Sequence, residues 1–177
     1  MAVYTKITEN DLRKFLSKYK LGQLVSFKGI QEGIENTNYL IQTDIGKFIL
    51  TIYEKRVQEK DLPFFMGLMR NLFDYKFPSP EPIINNNGNY ITTILNKKAA
   101  VVSFLEGSSK KNLNPNDCYN VGVQTAKLHM ITKNLSIKRE NRLSVNAWRK
   151  IYTNVQNDCS KIHPNLSKII EKNLDEI

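Results

Sequence analysis

Gly29-Ile30-Gln31-Glu32-Gly33-Ile34-Glu35-Asn36-Thr37-Asn38-Tyr39 sets two glycines and two asparagines between two segments of β character, Leu24 to Lys28 and Tyr39 to Thr43. Glycine lets backbone N–H groups close around phosphate oxygens without a side-chain clash. The spacing fits neither GxxxxGK(S/T) nor GxGxxG, so neither a P-loop nor a dinucleotide-binding turn is indicated. Taken alone, the stretch reads most simply as a hairpin loop with turn glycines. Its neighbours change that reading. A third β-type segment, Phe48 to Tyr53, follows Asp44-Ile45-Gly46, a short turn whose glycine is expected to take a positive φ, so the second and third strands should pair as a hairpin. Leu62, Phe65, Met66, Met69, Leu72 and Phe73 then form one apolar stripe at helical spacing, and Pro78, Pro80 and Pro82 bar its continuation. Two more strands, Tyr90 to Ile94 and Ala99 to Phe104, follow the turn-rich Asn85-Asn86-Asn87-Gly88. The order β-β-β-α-β-β predicts an antiparallel sheet with one packed helix.

Outward from this block, Ile7-Thr8-Glu9-Asn10-Asp11-Leu12 reads as a helix start, with Thr8 as cap, Asp11 reaching back, and Ile7 stapled to Leu12. Leu12, Phe15, Leu16 and Tyr19 share a face, and Gly22 is expected to end the run. Past Glu106-Gly107 the pattern turns helical. Asn114-Pro115 opens a helix to about Thr132; Trp148, Ile151, Tyr152 and Val155 mark a second; Leu166, Ile169, Ile170, Leu174 and Ile177 mark a third. That last stripe reaches the final residue without a stop signal. The expected fold class is α+β, with a β-rich lobe over 1–102, a hinge at 103–107 and the beginning of a helical lobe over 108–177.

Composition bounds the function more loosely. With 177 residues, 41% hydrophobic and 24% charged, the chain can build an ordinary hydrophobic core. It has no apolar run of membrane-spanning length and no secretory signal at its start, so a cytoplasmic protein without membrane partners is expected. Cys118 and Cys159 lie in no CxxC or Cys/His cluster and read as ordinary thiols. The net charge of +9 comes from 26 Lys and Arg against 17 Asp and Glu, spread along the chain without a basic block. Solvated helix faces explain it better than nucleic acid does, so no nucleic-acid partner is expected.

The individual candidates resolve in the same way. His129 titrates near neutral pH but follows Leu128 in a helical stripe and reads as a packing residue. His163, before Pro164, reads as a residue at a helix start, and Trp148 as core. Asp117, Asp158 and Asp175 have no motif around them and read as surface charges.

The glycine loop between strands one and two, the third strand, the packed helix and the two further strands follow the order of a protein-kinase-like small lobe. In detail the chain resembles type II homoserine kinases of the aminoglycoside-phosphotransferase and choline-kinase superfamily. The residues that carry the resemblance are Met1-Ala2-Val3-Tyr4-Thr5, Ser26-Phe27-Lys28-Gly29-Ile30, Gly33-Ile34-Glu35-Asn36-Thr37-Asn38-Tyr39, and Phe48 through Val57. Leu62-Pro63-Phe64-Phe65-x-Gly67-Leu68-Met69, Ser103-Phe104-Leu105-Glu106-Gly107 and Leu128-His129 complete the set.

The resemblance implies ATP and Mg²⁺ as cofactors and L-homoserine as substrate, with phosphorylation of its hydroxyl on the route to threonine. It implies that the loop containing Gly29, Gly33, Asn36 and Asn38 covers the phosphates. Thr51 falls where related kinases carry a phosphate-binding Lys or Arg, and the helix over Leu62 to Phe73 lacks the partner glutamate. Lys55 or Arg56 are the alternative sources of charge, and strand alternation alone does not fix their direction. Ser103, Phe104 and Leu105 would form the hinge whose backbone meets the adenine, with Val101 and Phe104 either beside the base or in an ordinary core. The family's His-x-Asp-x-x-x-x-Asn loop and later Asp-Phe/Tyr segment do not occur, so this polypeptide is expected to be an inactive N-terminal portion, marginally stable or self-associating through Leu166, Ile169, Ile170 and Leu174. Oligomeric state is not readable. A kinase for choline, methylthioribose or an aminoglycoside, and a non-enzymatic nucleotide-binding module, are the competing readings.

Overall fold

In the computed structural model, which describes residues 3–176, helix α1 (Glu9–Leu16) begins as its sequence dictates. The Asp11 N–H donates to Thr8 Oγ1 at 3.1 Å and the Thr8 N–H donates to Asp11 Oδ2 at 2.9 Å, which closes the capping box. The helix stops at Leu16, well before Gly22, because a turn over Ser17 to Tyr19 follows it. Gly22 instead sits in the approach to β1 (Leu24–Ile30) at φ +75°, where an added Cβ would lie 1.9 Å from Asp44 Oδ1. That same oxygen accepts the Gln23 N–H at 2.7 Å. Gly22→Ala is therefore expected to lower stability by about 2–3 kcal/mol, from left-handed backbone strain plus the displaced hydrogen bond; a urea midpoint unchanged by the substitution would contradict it.

Strands β2 (Thr37–Thr43) and β3 (Gly46–Ile52) pair antiparallel, with Thr43 opposite Gly46. The hairpin forms as expected, but its turn is the two residues Asp44 and Ile45. Gly46 already belongs to the strand and is not among the glycines with positive φ. Helix α2 (Leu62–Asp74) ends four residues before Pro78: Lys76 takes φ +57°, its N–H bonds the Phe73 carbonyl, and the Phe77 N–H bonds the Leu72 carbonyl. A two-residue strand that the sequence reading missed, β4 (Pro82–Ile83), comes next, then β5 (Ile91–Ile94) and β6 (Lys97–Ser103). Proline in β4 hid it, and an edge position is where proline is tolerated.

The sheet runs β1-β2-β3-β6-β4, with β5 also paired to β6, and every pairing is antiparallel. Leu95 and Asn96 join β5 to β6 with φ of +46° and +62°, the two-residue turn with both φ positive that suits a hairpin's twist. Leucine is strained there and half exposed, so Leu95→Asn should raise stability by about 0.5–1 kcal/mol, readable as a higher melting temperature.

Strand alternation sorts the two faces of this sheet. Tyr39, Ile41, Leu50, Ile52, Ala99 and Val101 point to one side and bury Leu12, Phe15 and Leu16 of α1 together with Tyr19 of the turn after it. Val101 thus belongs to the ordinary core, the second of the two readings left open for it. The opposite side carries Asn38, Leu40, Ile49, Thr51, Ala100 and Val102. Helix α2 lies against β4, and α3 (Pro115–Thr132) lies against α2, where Gly67 leaves room for Ile137: a Cβ on Gly67 would come within 2.8 Å of its Cδ1.

The chain divides into two compact units, residues 1–138 and 139–177. The second holds α4 (Val145–Thr153), a 3₁₀ segment Gln156–Lys161 and α5 (Leu166–Asp175). Trp148, Ile151, Tyr152, Val155, Ile170 and Leu174 line an apolar groove of about 480 Å³ between its helices. Trp148, read as core from the sequence, is 39% exposed at this groove, its indole N–H donating to the Leu143 carbonyl at 2.8 Å. The readings that fall on Met1, Ala2 and Ile177 lie outside the described residues.

Candidate functional site

Residues 31–36 connect β1 to β2, with Gly33 at φ +109° inside the loop. A side chain there would be strained, so glycine is required by backbone conformation. Gly29 has a different local reason. It pairs with Tyr39 on the α1-facing side of the sheet, where an added Cβ would come 2.9 Å from Val3 Cγ2 and 3.5 Å from the Tyr39 ring.

The far end of the loop is tied to the end of β3. Asn36 Oδ1 accepts the Glu54 N–H at 3.4 Å, and Asn38 Oδ1 accepts the Thr51 hydroxyl at 2.8 Å. Asn38 and Thr51 are direct cross-strand partners, so two of the sequence-derived residues meet on the face turned away from α1. Beside them, Leu40, Ile49 and Val102 form a half-buried apolar row across three strands. The sequence reading missed this row. Only the register reveals it, since Ile49 faces both Leu40 and Val102.

That row ends at the segment after β6. The Ser103 N–H donates to the Glu81 carbonyl at 2.9 Å, and Ser103 Oγ accepts the Glu81 N–H at 2.8 Å. The Phe104 N–H donates to the Lys47 carbonyl at 3.2 Å. Lys47 also holds its ammonium 5.5 Å from the Phe104 ring and pairs with Glu106 at 2.8 Å. The Ser103 and Phe104 N–H groups are therefore engaged inside the protein. Among the described residues, the Phe104 carbonyl and the Leu105 N–H have no partner within the chain, and Leu105 is 48% exposed.

Lys55 and Arg56 lie in an exposed turn after β3. With Tyr4, Ile34, Glu54 and Lys97 they line a pocket of about 340 Å³ at the loop's end. Glu54, whose side chain is 10% exposed, is the hub of this corner. One carboxylate oxygen accepts the Thr5 hydroxyl at 2.6 Å and the Thr37 hydroxyl at 2.8 Å, and the other takes the Lys97 ammonium. Burial works to raise the Glu54 pKa, but the bonds from Lys97, Thr5 and Thr37 outweigh it and hold the carboxyl below its ordinary value.

The remaining candidates fall elsewhere. His129 is exposed on α3 and is not buried by the described residues of its own unit. His163 serves the start of α5, its Nδ1 accepting the Asn165 N–H at 3.2 Å. Asp117, read as a plain surface charge, closes a capping box with Asn114 and pairs with Lys110 at 2.7 Å. Asp158 and Asp175 pair with Lys161 and Arg149. Among the described residues, no group of three or more His, Cys, Asp or Glu side chains is placed to hold a metal ion. No helix among them is long and apolar enough to cross a membrane.

Comparison with known proteins gives this geometry a family. The homoserine kinase of Paramagnetospirillum magneticum is 41% identical over 175 residues, covering 99% of this chain and 54% of that protein. Those of Phenylobacterium zucineum and Methylobacterium radiotolerans are 41% and 42% identical, over 100% and 94% of this chain. The chain spans about half the length of the curated relatives it matches. Among solved structures, a spectinomycin phosphotransferase in complex with ADP and spectinomycin superposes with a TM-score of 0.60 at 16% identity, covering 88% of this chain and 48% of its own. A microcompartment-associated aminopropanol kinase gives 0.62 at 15%, covering 80% of this chain and 48% of its own. These two share the fold: a protein-kinase-like α+β arrangement. Residues 26–168, from the first strand through the last helix's opening turn, match the phosphotransferase enzyme family, and the chain belongs to that family.

Proposed function

We propose that this chain is the nucleotide-binding part of an ATP-dependent homoserine kinase, which converts L-homoserine to O-phospho-L-homoserine. The observation that carries this reading is identity of about 40% to homoserine kinases, sustained from one end of the chain to the other. In this reading 1–102 is the nucleotide lobe, 103–107 the hinge and 108–177 the first part of the lobe that receives the alcohol. The site of action is the cytoplasm, with small molecules as partners rather than nucleic acid or membrane.

The residues present fit a nucleotide. Leu40, Ile49 and Val102 offer an apolar floor that excludes water from one face of a base. The Phe104 carbonyl and the Leu105 N–H are a free acceptor and a free donor at its edge, while Ser103 fixes the strand end behind them through Glu81. The loop from Gly29 to Asn38 turns its backbone N–H groups toward the phosphates, with Gly33, Asn36 and Asn38 setting its shape. Thr51 brings no charge, and its hydroxyl is already spent on Asn38. Lys55, at the mouth of the neighbouring pocket, supplies the positive charge. ATP supplies the transferable phosphoryl group. The carboxylate that deprotonates the alcohol and the ligands for Mg²⁺ belong to the part of the relatives' length that this chain does not span.

The test is to read the gene beyond codon 177, express the complete frame and follow ADP release with homoserine, choline, methylthioribose and an aminoglycoside. Homoserine should exceed the others in kcat/KM by about a hundredfold or more. Preference for another alcohol would sink the substrate assignment. A product that binds no nucleotide at all would sink the kinase reading itself.

A further inference from the structure

Residues Val3 to Thr5 cross behind the glycine loop, on the side of the sheet that faces α1, meeting β1 just before the loop and the loop itself at Ile34. At the near end, Val3 fills the space that a Gly29 side chain would need. At the far end, the Tyr4 hydroxyl donates to the Ile34 carbonyl at 3.0 Å. Between them, the Tyr4 and Thr5 N–H groups both donate to Thr37 Oγ1, at 3.0 and 3.1 Å, and Thr37 is fully buried. A hydroxyl has one proton and two lone pairs. Thr37 spends the proton on Glu54 and both lone pairs on this segment, so its bonding is saturated and its position fixed.

The other side of the junction is equally committed. The Thr5 hydroxyl donates to Glu54 and accepts from Lys97 at 2.7 Å, and the Tyr39 hydroxyl donates to the Thr5 carbonyl at 2.9 Å. Glu54 continues into the loop itself, because its own N–H reaches the Asn36 side chain. The segment is thus anchored to β2, to the end of β3 and to β6, and Tyr4 is its extension toward the loop. A loop between strands ordinarily samples several conformations, and holding one in advance removes that ordering cost from ligand binding.

We propose that Val3–Thr5, backed by Glu54 and Lys97, is a strap that presets the glycine loop for the nucleotide's phosphates, with Tyr4 and Glu54 as positioning residues. The proposal rests on the nucleotide-site reading above and deepens it. None of these side chains needs to touch the nucleotide: they act through the backbone of residues 31–36.

Two conservative variants separate positioning from general stability. Tyr4→Phe removes one hydroxyl from an exposed side chain, and Glu54→Gln keeps the shape but removes the charge that holds Thr5, Thr37 and Lys97. Gly22→Ala, on the opposite approach to β1, serves as a destabilised control that leaves the strap intact. Each is made in the complete gene product, where amide hydrogen exchange of residues 31–36 and KM for ATP against kcat are read. Losing one such bond corresponds to about a fivefold change. Tyr4→Phe should therefore accelerate loop exchange and raise KM for ATP about fivefold, and Glu54→Gln should do so more strongly, with kcat within about twofold. The control should shift melting temperature without moving KM. Unchanged loop exchange in both variants, or a KM that rises equally in the control, overturns the strap. Should the unaltered protein bind no nucleotide, the kinase reading falls and takes the proposal with it, an outcome distinct from variants that bind as well as the parent.

Discussion

Phe15→Ala is expected to lower the stability of the sheet-bearing unit by about 3–5 kcal/mol, enough to leave a single domain largely unfolded at physiological temperature. Phe15 is 2% exposed, its ring centroid lies 5.3 Å from that of Tyr19, and it stands in the layer between α1 and the sheet. The void left by the ring cannot be refilled from the sheet side, where Ile41, Leu50, Ile52 and Val101 are themselves fully buried. Chemical denaturation followed by circular dichroism gives the number. A loss below about 1 kcal/mol, the range of surface substitutions, would mean that α1 is an appendage and not a layer of the core.

Glu54→Ala should cost about 2–4 kcal/mol by a different route. It strips two buried hydroxyls of their acceptor and leaves the Lys97 ammonium without its partner; Lys97 is 40% exposed, so water relieves part of the penalty. The effect carries a pH signature. A carboxyl whose folded pKa lies below its unfolded value binds fewer protons in the folded state, so its contribution is complete at neutral pH and fades as pH falls through the folded value. The gap between the parent and Glu54→Ala should be widest at pH 7 and narrow below about 4.5, the carboxyl's ordinary pKa. A gap that stays constant from pH 7 to 3 would assign the loss to packing instead of charge.

Local signals made most of the elements readable. Thr8 and Asp11 form the expected capping box, and Asn114 with Asp117 form another that the sequence held but its reading passed over. Period-two burial along β2, with every odd position from Thr37 to Thr43 buried, is the pattern of a strand whose one face meets a helix. The errors share one cause. Gly22 reads as a helix stop and Gly46 as a turn residue because both are glycines in plausible places. Their actual conformations depend on Asp44, in the distant β2–β3 turn, packing against Gly22 and on Thr43 pairing with Gly46. Turn chemistry names the residue that fits a left-handed position, not the position that needs one.

For the candidate site the division is sharper. The glycine-containing loop, the hairpin of β2 and β3 and helix α2 were legible because each is a contiguous run with its own residue chemistry, and their order pointed to the family. Which backbone groups of residues 103–105 are free, and which side chains share the face beside them, was not legible. Those facts follow from register: Ser103 is opposite Phe48, Ile49 opposite Val102, and Asn38 opposite Thr51. A shift of one residue would turn Val102 into the core and bring Val101 out, and no local preference distinguishes two adjacent valines. The sequence by itself therefore determined most of the elements, their order and the family. The tertiary structure decided which polar groups are already spent, how Thr37 and Glu54 hold the distant segment Val3–Thr5, and what remains open at residues 104–105, because hydrogen bonds between residues thirty or more apart depend on packing rather than on composition.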